Sequence, residues 1–168
     1  MQLDLTNLFN GFGEDINIDC VVDMTDFEYS TYCPIKNGAK ACGRIFSKAD
    51  VVYLQLNISF DFFGVCDRCA ENVTKHYAFD LEKILVPQLA NDDDDDDESY
   101  IVVDNNLLDI DALVNEEVQL FLPHKMLCSD DCKGLCPKCG KNLNSGKCDC
   151  KADVDPRLSS LLQLLDDE

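Results

Sequence analysis

The stretch Val51-Val52-Tyr53-Leu54-Gln55-Leu56-Asn57-Ile58-Ser59-Phe60-Asp61-Phe62 decides the fold. Val52, Leu54, Leu56, Ile58, Phe60 and Phe62 recur at period two, with Gln55, Asn57, Ser59 and Asp61 between them. A strand presents alternate residues to opposite faces, so the pattern predicts one face in a core and the other in water. Residues 73–85 repeat it less strictly: Val73, Tyr77, Phe79, Leu81 and Leu85 oppose Thr74, His76, Asp80 and Glu82. Upstream, Ile16, Ile18, Cys20 and Val22 alternate with Asn17, Asp19 and Asp23 and predict another half-buried strand. Gly64-Val65-Cys66-Asp67-Arg68-Cys69 lies between the two long runs. So short a strand-to-strand connection predicts antiparallel neighbours.

Helical signals follow. Ile110, Leu113, Val114, Val118, Phe121 and Leu122 share one face of a helix over 110–122, with Asp109 as N-cap and Pro123 as stop. Val118, Leu120 and Leu122 also fit a strand. Asp155 as N-cap and Pro156 at the first helical position open a last helix carrying Leu158, Leu161, Leu162 and Leu165. Between strands and helices, Asp92 to Glu98 is a run of seven acids. It buries no apolar surface and is expected to be a solvated loop. It also lacks the spaced ligands and glycine of a calcium loop. The fold class expected is α+β: an antiparallel β-rich body over 1–123, then a cysteine-rich module with short helices over 124–168.

A chain of 168 residues with 46% hydrophobic content can bury one core, with room for a small appendage. Lys and Arg total 14 against 33 Asp and Glu, a formal net charge of -19. Such a field repels phosphates and argues against a plain non-specific nucleic-acid binder. The charge is uneven. Residues 125–157 hold seven basic residues (Lys125, Lys133, Lys138, Lys141, Lys147, Lys151, Arg157) and only five acids. The start Met1-Gln2-Leu3-Asp4-Leu5-Thr6-Asn7 has neither a basic n-region nor an apolar h-region, and no window approaches a membrane span. The expected location is the cytoplasm, away from membranes.

Cysteine is the second anomaly, at 11 residues. An odd number leaves a closed disulfide framework with one thiol over, and in a reducing compartment clustered cysteines bind metal more often than they form bridges. Eight fall in four close pairs: Cys66/Cys69, Cys128/Cys132, Cys136/Cys139 and Cys148/Cys150. Structural Zn2+ takes four tetrahedral ligands as two such pairs. Cys136-Pro137-Lys138-Cys139-Gly140 is the zinc-knuckle form, and Cys148/Cys150 completes a four-cysteine site. Cys66, Cys69, Cys128 and Cys132 form a second site in one arrangement, tying the β-hairpin to the C-terminal module. In a competing arrangement one site draws on Cys132, Cys136, Cys139 and Cys150, leaving Cys66/Cys69 as a reduced pair. One or two Zn2+ ions are therefore expected. A redox Cys-x-x-Cys at Cys66 lacks the strand-to-helix context of such motifs, and an Fe–S cluster fits any four thiolates. Cys20 reads as a buried small hydrophobe, and Cys33 and Cys42 read as loop thiols.

No catalytic set is visible. His76 lies on the polar side of a strand pattern and His124 follows Pro123, neither beside a nucleophile. No phosphate-cradling glycine loop is present. The expectation is a non-enzyme with no small-molecule substrate.

The order of motifs carries a resemblance. Cys66-Asp67-Arg68-Cys69 after a strand, an acidic loop, Leu108-Asp109-Ile110 opening a helix and Leu122-Pro123 come first. Cys128-Ser129-Asp130-Asp131-Cys132-Lys133-Gly134-Leu135-Cys136-Pro137-Lys138-Cys139-Gly140-Lys141-Asn142-Leu143-Asn144 and Asp155-Pro156-Arg157-Leu158 follow. This order resembles the bacterial and plastid YceD family, the large ribosomal RNA subunit accumulation proteins, over about residues 50–165. The first 50 residues fit only as a variable β-rich start. The resemblance implies a cytoplasmic factor in large-subunit rRNA accumulation. The family's gene often neighbours that of a small large-subunit ribosomal protein, which implies a basic partner. Its first pair matches Cys66 and Cys69, and its second cluster matches Cys132, Cys136, Cys139, Cys148 and Cys150. In the family that second cluster is reduced or absent in some relatives, and the more persistent Cys66/Cys69 and Cys128/Cys132 region slightly favours two sites.

Two functions remain in view. One is a non-enzymatic assembly factor. Its zinc module, through Lys133, Lys138, Lys141, Lys147 and Arg157, meets large-subunit rRNA or a basic ribosomal protein, while the acidic body escorts a basic chain. The alternative is a zinc- and thiol-responsive regulator switching at Cys66/Cys69.

Overall fold

The computed structural model describes residues 1–29, 32–87 and 99–150. The chain opens with β1 (Gln2–Asp4) and the single-turn α1 (Thr6–Phe9). β2 (Ile16–Val22), β3 (Ala39–Lys48), β4 (Val51–Val65), β5 (Asn72–Val86) and β6 (Tyr100–Val102) then form one five-stranded sheet in that spatial order. All its pairings are antiparallel except β5 with β6, which is parallel. A short turn at Asp104–Asn106 leads to β7 (Leu107–Asp109), which pairs antiparallel with β1, and to α2 (Ile110–Phe121).

The alternation over 51–62 yields the expected strand, extended to Val65, and its partner β5 is antiparallel. Val52, Leu54, Leu56, Ile58, Phe60 and Phe62 are all buried, and Leu81 and Leu85 join them from β5. α2 lies over this inner face. Ile110, Leu113, Val114 and Val118 are buried, Phe121 stacks on Phe79 with centroids 4.3 Å apart, and Lys83 pairs with Glu117 at 3.2 Å. The helical reading of 110–122 therefore prevails over the strand reading of Val118, Leu120 and Leu122. Asp109 caps it, accepting from the Asp111 and Ala112 N–H groups. Phe121, at the end of the expected face, stays partly exposed although it stacks on Phe79, while Leu120, which only the strand reading placed inward, is exposed.

β3 was not anticipated, and Cys42 is corrected by it. Cys42 is a strand residue whose Sγ donates to Asp19 Oδ1 at 3.2 Å, not a loop thiol. The inner positions of β3 are Ala39, Ala41, Gly43 and Ile45, and small residues mask the period-two signal. At Gly43 the β4 backbone leaves no room for a side chain: a Cβ there would collide with the Gln55 carbonyl oxygen. Cys20 is half-buried against the core from β2, and Cys33 sits in a connecting segment with Sγ 3.2 Å from the Met24 carbonyl oxygen. His76 pairs with Asp61 across the outer face at 2.8 Å, and His124 is exposed. The acidic run 92–98 and the last helix with Arg157 lie outside the described residues. No helix among the described residues is long and apolar enough to cross a membrane.

A pair of four-cysteine candidate metal centres

Cys66 follows the last residue of β4, and Cys69 lies three residues before β5 begins, so the long hairpin presents both thiols at one end. The chain after α2 returns to that end. Tyr29 Oη donates to the Pro123 carbonyl at 2.6 Å. Met126, 1% exposed, enters the core. Asp67 and Met126 clamp the two segments reciprocally: the Asp67 N–H donates to the Met126 carbonyl at 2.8 Å, and the Met126 N–H donates to Asp67 Oδ2 at 2.6 Å. This return brings Cys128 and Cys132 onto the hairpin pair. Cys66 and Cys132 Sγ atoms are 3.8 Å apart, and Cys69 and Cys128 Sγ atoms 3.6 Å.

The eight sulfurs divide four and four. Cys66, Cys69, Cys128 and Cys132 form one group; Cys136, Cys139, Cys148 and Cys150 form the other. Within each group every ligand atom lies within 4.8 Å of the others. Cys132 thus stands with the hairpin pair rather than with Cys136, unlike the single-site arrangement. The spacing fits an ion. Tetrahedral Zn–S bonds of about 2.3 Å place sulfurs about 3.8 Å apart, far beyond a disulfide's separation of about 2.0 Å. All eleven cysteines are free thiols.

The two Cys-x-x-Cys loops are one structure made twice. In the first, the Cys66 N–H donates to the Glu71 carbonyl at 2.8 Å and the Ala70 N–H to the Cys66 carbonyl at 2.8 Å. In the second, the Cys136 N–H donates to the Lys141 carbonyl at 2.8 Å and the Gly140 N–H to the Cys136 carbonyl at 2.9 Å. Ala70 and Gly140 occupy the same left-handed position, at φ 57° and 70°. The sequence marked the second loop by its glycine; alanine in that slot concealed the first.

Both turns aim N–H groups at their leading sulfur. Burial pushes the Cys66 thiol up, but the N–H groups of Cys128, Arg68 and Cys69 outweigh it and bring it down to about 6. The N–H groups of Cys139 and Lys138, with the Cys148 thiol, bring Cys136 down to about 6. The Asn144 side-chain amide beside Cys132 holds that thiol below its ordinary value. Each group also holds a sulfur pushed the other way. Glu71's N–H pulls Cys69 down, but burial and the thiols of Cys66, Cys128 and Cys132 push it up to about 12. Cys139 raises Cys150 to about 12. Thiolates this close repel one another, so a cation is what makes four of them favourable together.

The surroundings differ. Cys66, Cys69 and Cys132 belong to the continuous hydrophobic core. Cys139 and Cys150 are exposed, and no buried apolar residue follows Cys136 among the described residues. Lys133, Lys138, Lys141 and Lys147 are all exposed around the second group. Residues without a role in the sequence reading join the two groups. Arg68 Nη1 donates to the Cys132 carbonyl at 3.0 Å, and the Leu135 N–H donates to the Arg68 carbonyl at 3.1 Å. Asn142 Nδ2 donates to Glu71 Oε1 at 2.8 Å. Only their place in the quoted motif run could have flagged Asn142 and Asn144.

The fold and sites define a class: a mainly antiparallel β-sheet protein carrying paired four-cysteine groups able to hold metal ions. The chain belongs to the YceD family, described as large ribosomal RNA subunit accumulation protein, whose profile matches residues 54–165. It is 31% identical over 133 residues to an uncharacterized protein of Bacillus subtilis, covering 74% of this chain and 76% of that one. It is 28% identical over 126 residues to an uncharacterized protein of Mycobacterium tuberculosis, covering 74% of this chain. That match spans 61% of the mycobacterial protein's length. It is 44% identical over 43 residues to the chloroplastic large ribosomal RNA subunit accumulation protein YCED homolog 1 of Arabidopsis thaliana, covering 26% of this chain and 13% of that one. No solved structure matches.

Proposed function

We propose that this protein is a non-enzymatic factor in large-subunit rRNA accumulation. It is built on two structural Zn2+ ions, one held by Cys66, Cys69, Cys128 and Cys132, the other by Cys136, Cys139, Cys148 and Cys150. The observation that carries the reading is the division of eight sulfurs into two groups whose spacing suits Zn2+. Zn2+ supplies folding energy here and closes loops that have no core of their own. The module over 124–168 offers Lys133, Lys138, Lys141 and Lys147, with Arg157, to rRNA or to the surface of a ribosomal particle. The acidic body over 1–123 attracts a basic large-subunit ribosomal protein and repels bare RNA. A reducing compartment such as the cytoplasm keeps the eight clustered thiols available as ligands.

Elemental analysis of chelator-free protein tests the metal assignment. Two zinc ions per chain are expected, falling to one in Cys66→Ser and to one in Cys139→Ser. One ion lost only in Cys139→Ser defeats the two-site reading. Affinity capture at physiological salt tests the partners: rRNA still recovered after ribosomal proteins are stripped supports direct contact by the module, and failure to recover any basic large-subunit ribosomal protein defeats the escort role of the body.

A further inference from the structure

Asn144 lies in the loop between Cys139 and Cys148, which belong to the exposed group, yet its side chain serves the buried group. Asn144 Nδ2 donates to Cys132 Sγ at 3.3 Å, while Asn144 Oδ1 accepts from the Lys133 N–H at 2.8 Å. Its own N–H donates to Asn142 Oδ1 at 2.9 Å, and Asn142 Nδ2 reaches Glu71 beside the first knuckle. The base of this loop is closed by Leu135 and Asn142, bridged antiparallel, with the Leu143 N–H on the Gly134 carbonyl at 2.9 Å. None of residues 137–150 is a buried hydrophobe. Hydrogen bonds hold the base of the loop, and the gathering of Cys139, Cys148 and Cys150 with Cys136 around an ion closes the rest of it.

We propose that Asn144 couples the two metal centres, so that an ion at Cys136, Cys139, Cys148 and Cys150 strengthens binding at Cys66, Cys69, Cys128 and Cys132. The physical route is short. Closing the exposed centre pins the 140–146 loop, and the pinned loop delivers an amide N–H to a ligand sulfur of the buried centre. A hydrogen bond to a ligand tunes the affinity of the site, and losing one costs about 10- to 100-fold. Coupling of binding is reciprocal, so the buried ion favours the exposed one equally. Asn144 is a positioning residue. It holds no metal.

This inference rests on the metal reading above, and its test separates the two. Zn2+ affinity at the buried centre is measured by chelator competition on the full chain, and its environment by the cadmium-113 resonance of Cd2+-loaded protein. The variants are Asn144→Asp, Cys139→Ser and the double variant. Asn144→Asp keeps an acceptor for the Lys133 N–H but has no donor for Cys132, so a purely structural role survives it. The expected result is an affinity loss of about 10-fold or more at the buried centre in Asn144→Asp, with its resonance shifted. A loss of similar size is expected in Cys139→Ser, and no further loss in the double variant, because both remove one interaction. Unchanged buried-centre affinity in Cys139→Ser overturns the coupling, as do losses that add in the double variant. Wild-type protein binding fewer than two ions overturns the metal reading itself.

Discussion

Ala70→Gly is expected to stabilise the protein although it removes a methyl group. Ala70 sits at φ 57°, in the slot that Gly140 fills at 70° in the second knuckle. An L side chain in the left-handed region costs about 1–2 kcal/mol. Glycine relieves that strain but surrenders about 0.5–1 kcal/mol of additional backbone entropy on folding. The difference leaves a gain of about 0.5–1 kcal/mol, or about 1–4 °C in the unfolding midpoint for a chain of this size. The reverse exchange supplies the control. A Cβ on Gly140 meets nothing within 4 Å, so Gly140→Ala costs the same net of about 0.5–1 kcal/mol, strain less the entropy regained. It should weaken the exposed ion's binding about two- to five-fold, since about 1.4 kcal/mol is tenfold. Gly134→Ala should cost more than about 1 kcal/mol, because at φ 73° its Cβ also lies 3.0 Å from the Arg68 carbonyl oxygen. Urea unfolding of zinc-loaded protein reads Ala70→Gly and Gly134→Ala, and chelator competition reads Gly140→Ala. A destabilised Ala70→Gly, or a Gly140→Ala that binds as wild type does, refutes the argument that the loops are equivalent.

Three further outcomes follow from the same structure. Chelation at neutral pH should strip hydrogen-exchange protection from the Leu135, Cys136 and Gly140 amides while β4 and β5 keep theirs, since the sheet buries its own apolar face; simultaneous loss across both contradicts this. Asp67→Ala should cost about 1–2 kcal/mol in denaturant melts, because it removes the carboxylate that accepts the Met126 N–H; a neutral effect denies the clamp. Asp109→Ala should cost about 1 kcal/mol at pH 7. Burial pushes the Asp109 carboxyl up, but the Ala112 and Asp111 N–H groups and the N-terminal ammonium outweigh it and hold it below its ordinary value. A depressed carboxylate contributes fully above its unfolded pKa of about 3.9 and loses that contribution as pH falls through the folded value. The gap between variant and wild type should therefore persist from pH 7 to 5, and closure within that window is the refuting result.

Much of this protein is local and was readable as such. Strict alternation over 51–62 sets β4 because a buried sheet face demands every second residue. Asp109 and Pro123 bracket α2 because a cap and a stop act within a turn. Cysteine spacing names the short-range pairs, since two thiolates must reach one ion from one loop. β3 escaped because alanine and glycine on its inner face carry little hydrophobic contrast, and the need for glycine at Gly43 shows only where the β4 backbone closes on it. The first knuckle escaped in part because Ala70 holds a position whose strain is visible only in φ. Which pair joins which was beyond any local signal. Cys69 and Cys128 are 59 positions apart, and they meet because the β4–β5 register presents one pair while the chain after α2, clamped at Met126 by Asp67, returns with the other. Residue types and spacings determined that the clustered cysteines come in twos. The return path of the backbone decided that one four-cysteine group is built into the core and the other stands outside it, linked by the hydrogen bonds of Asn144.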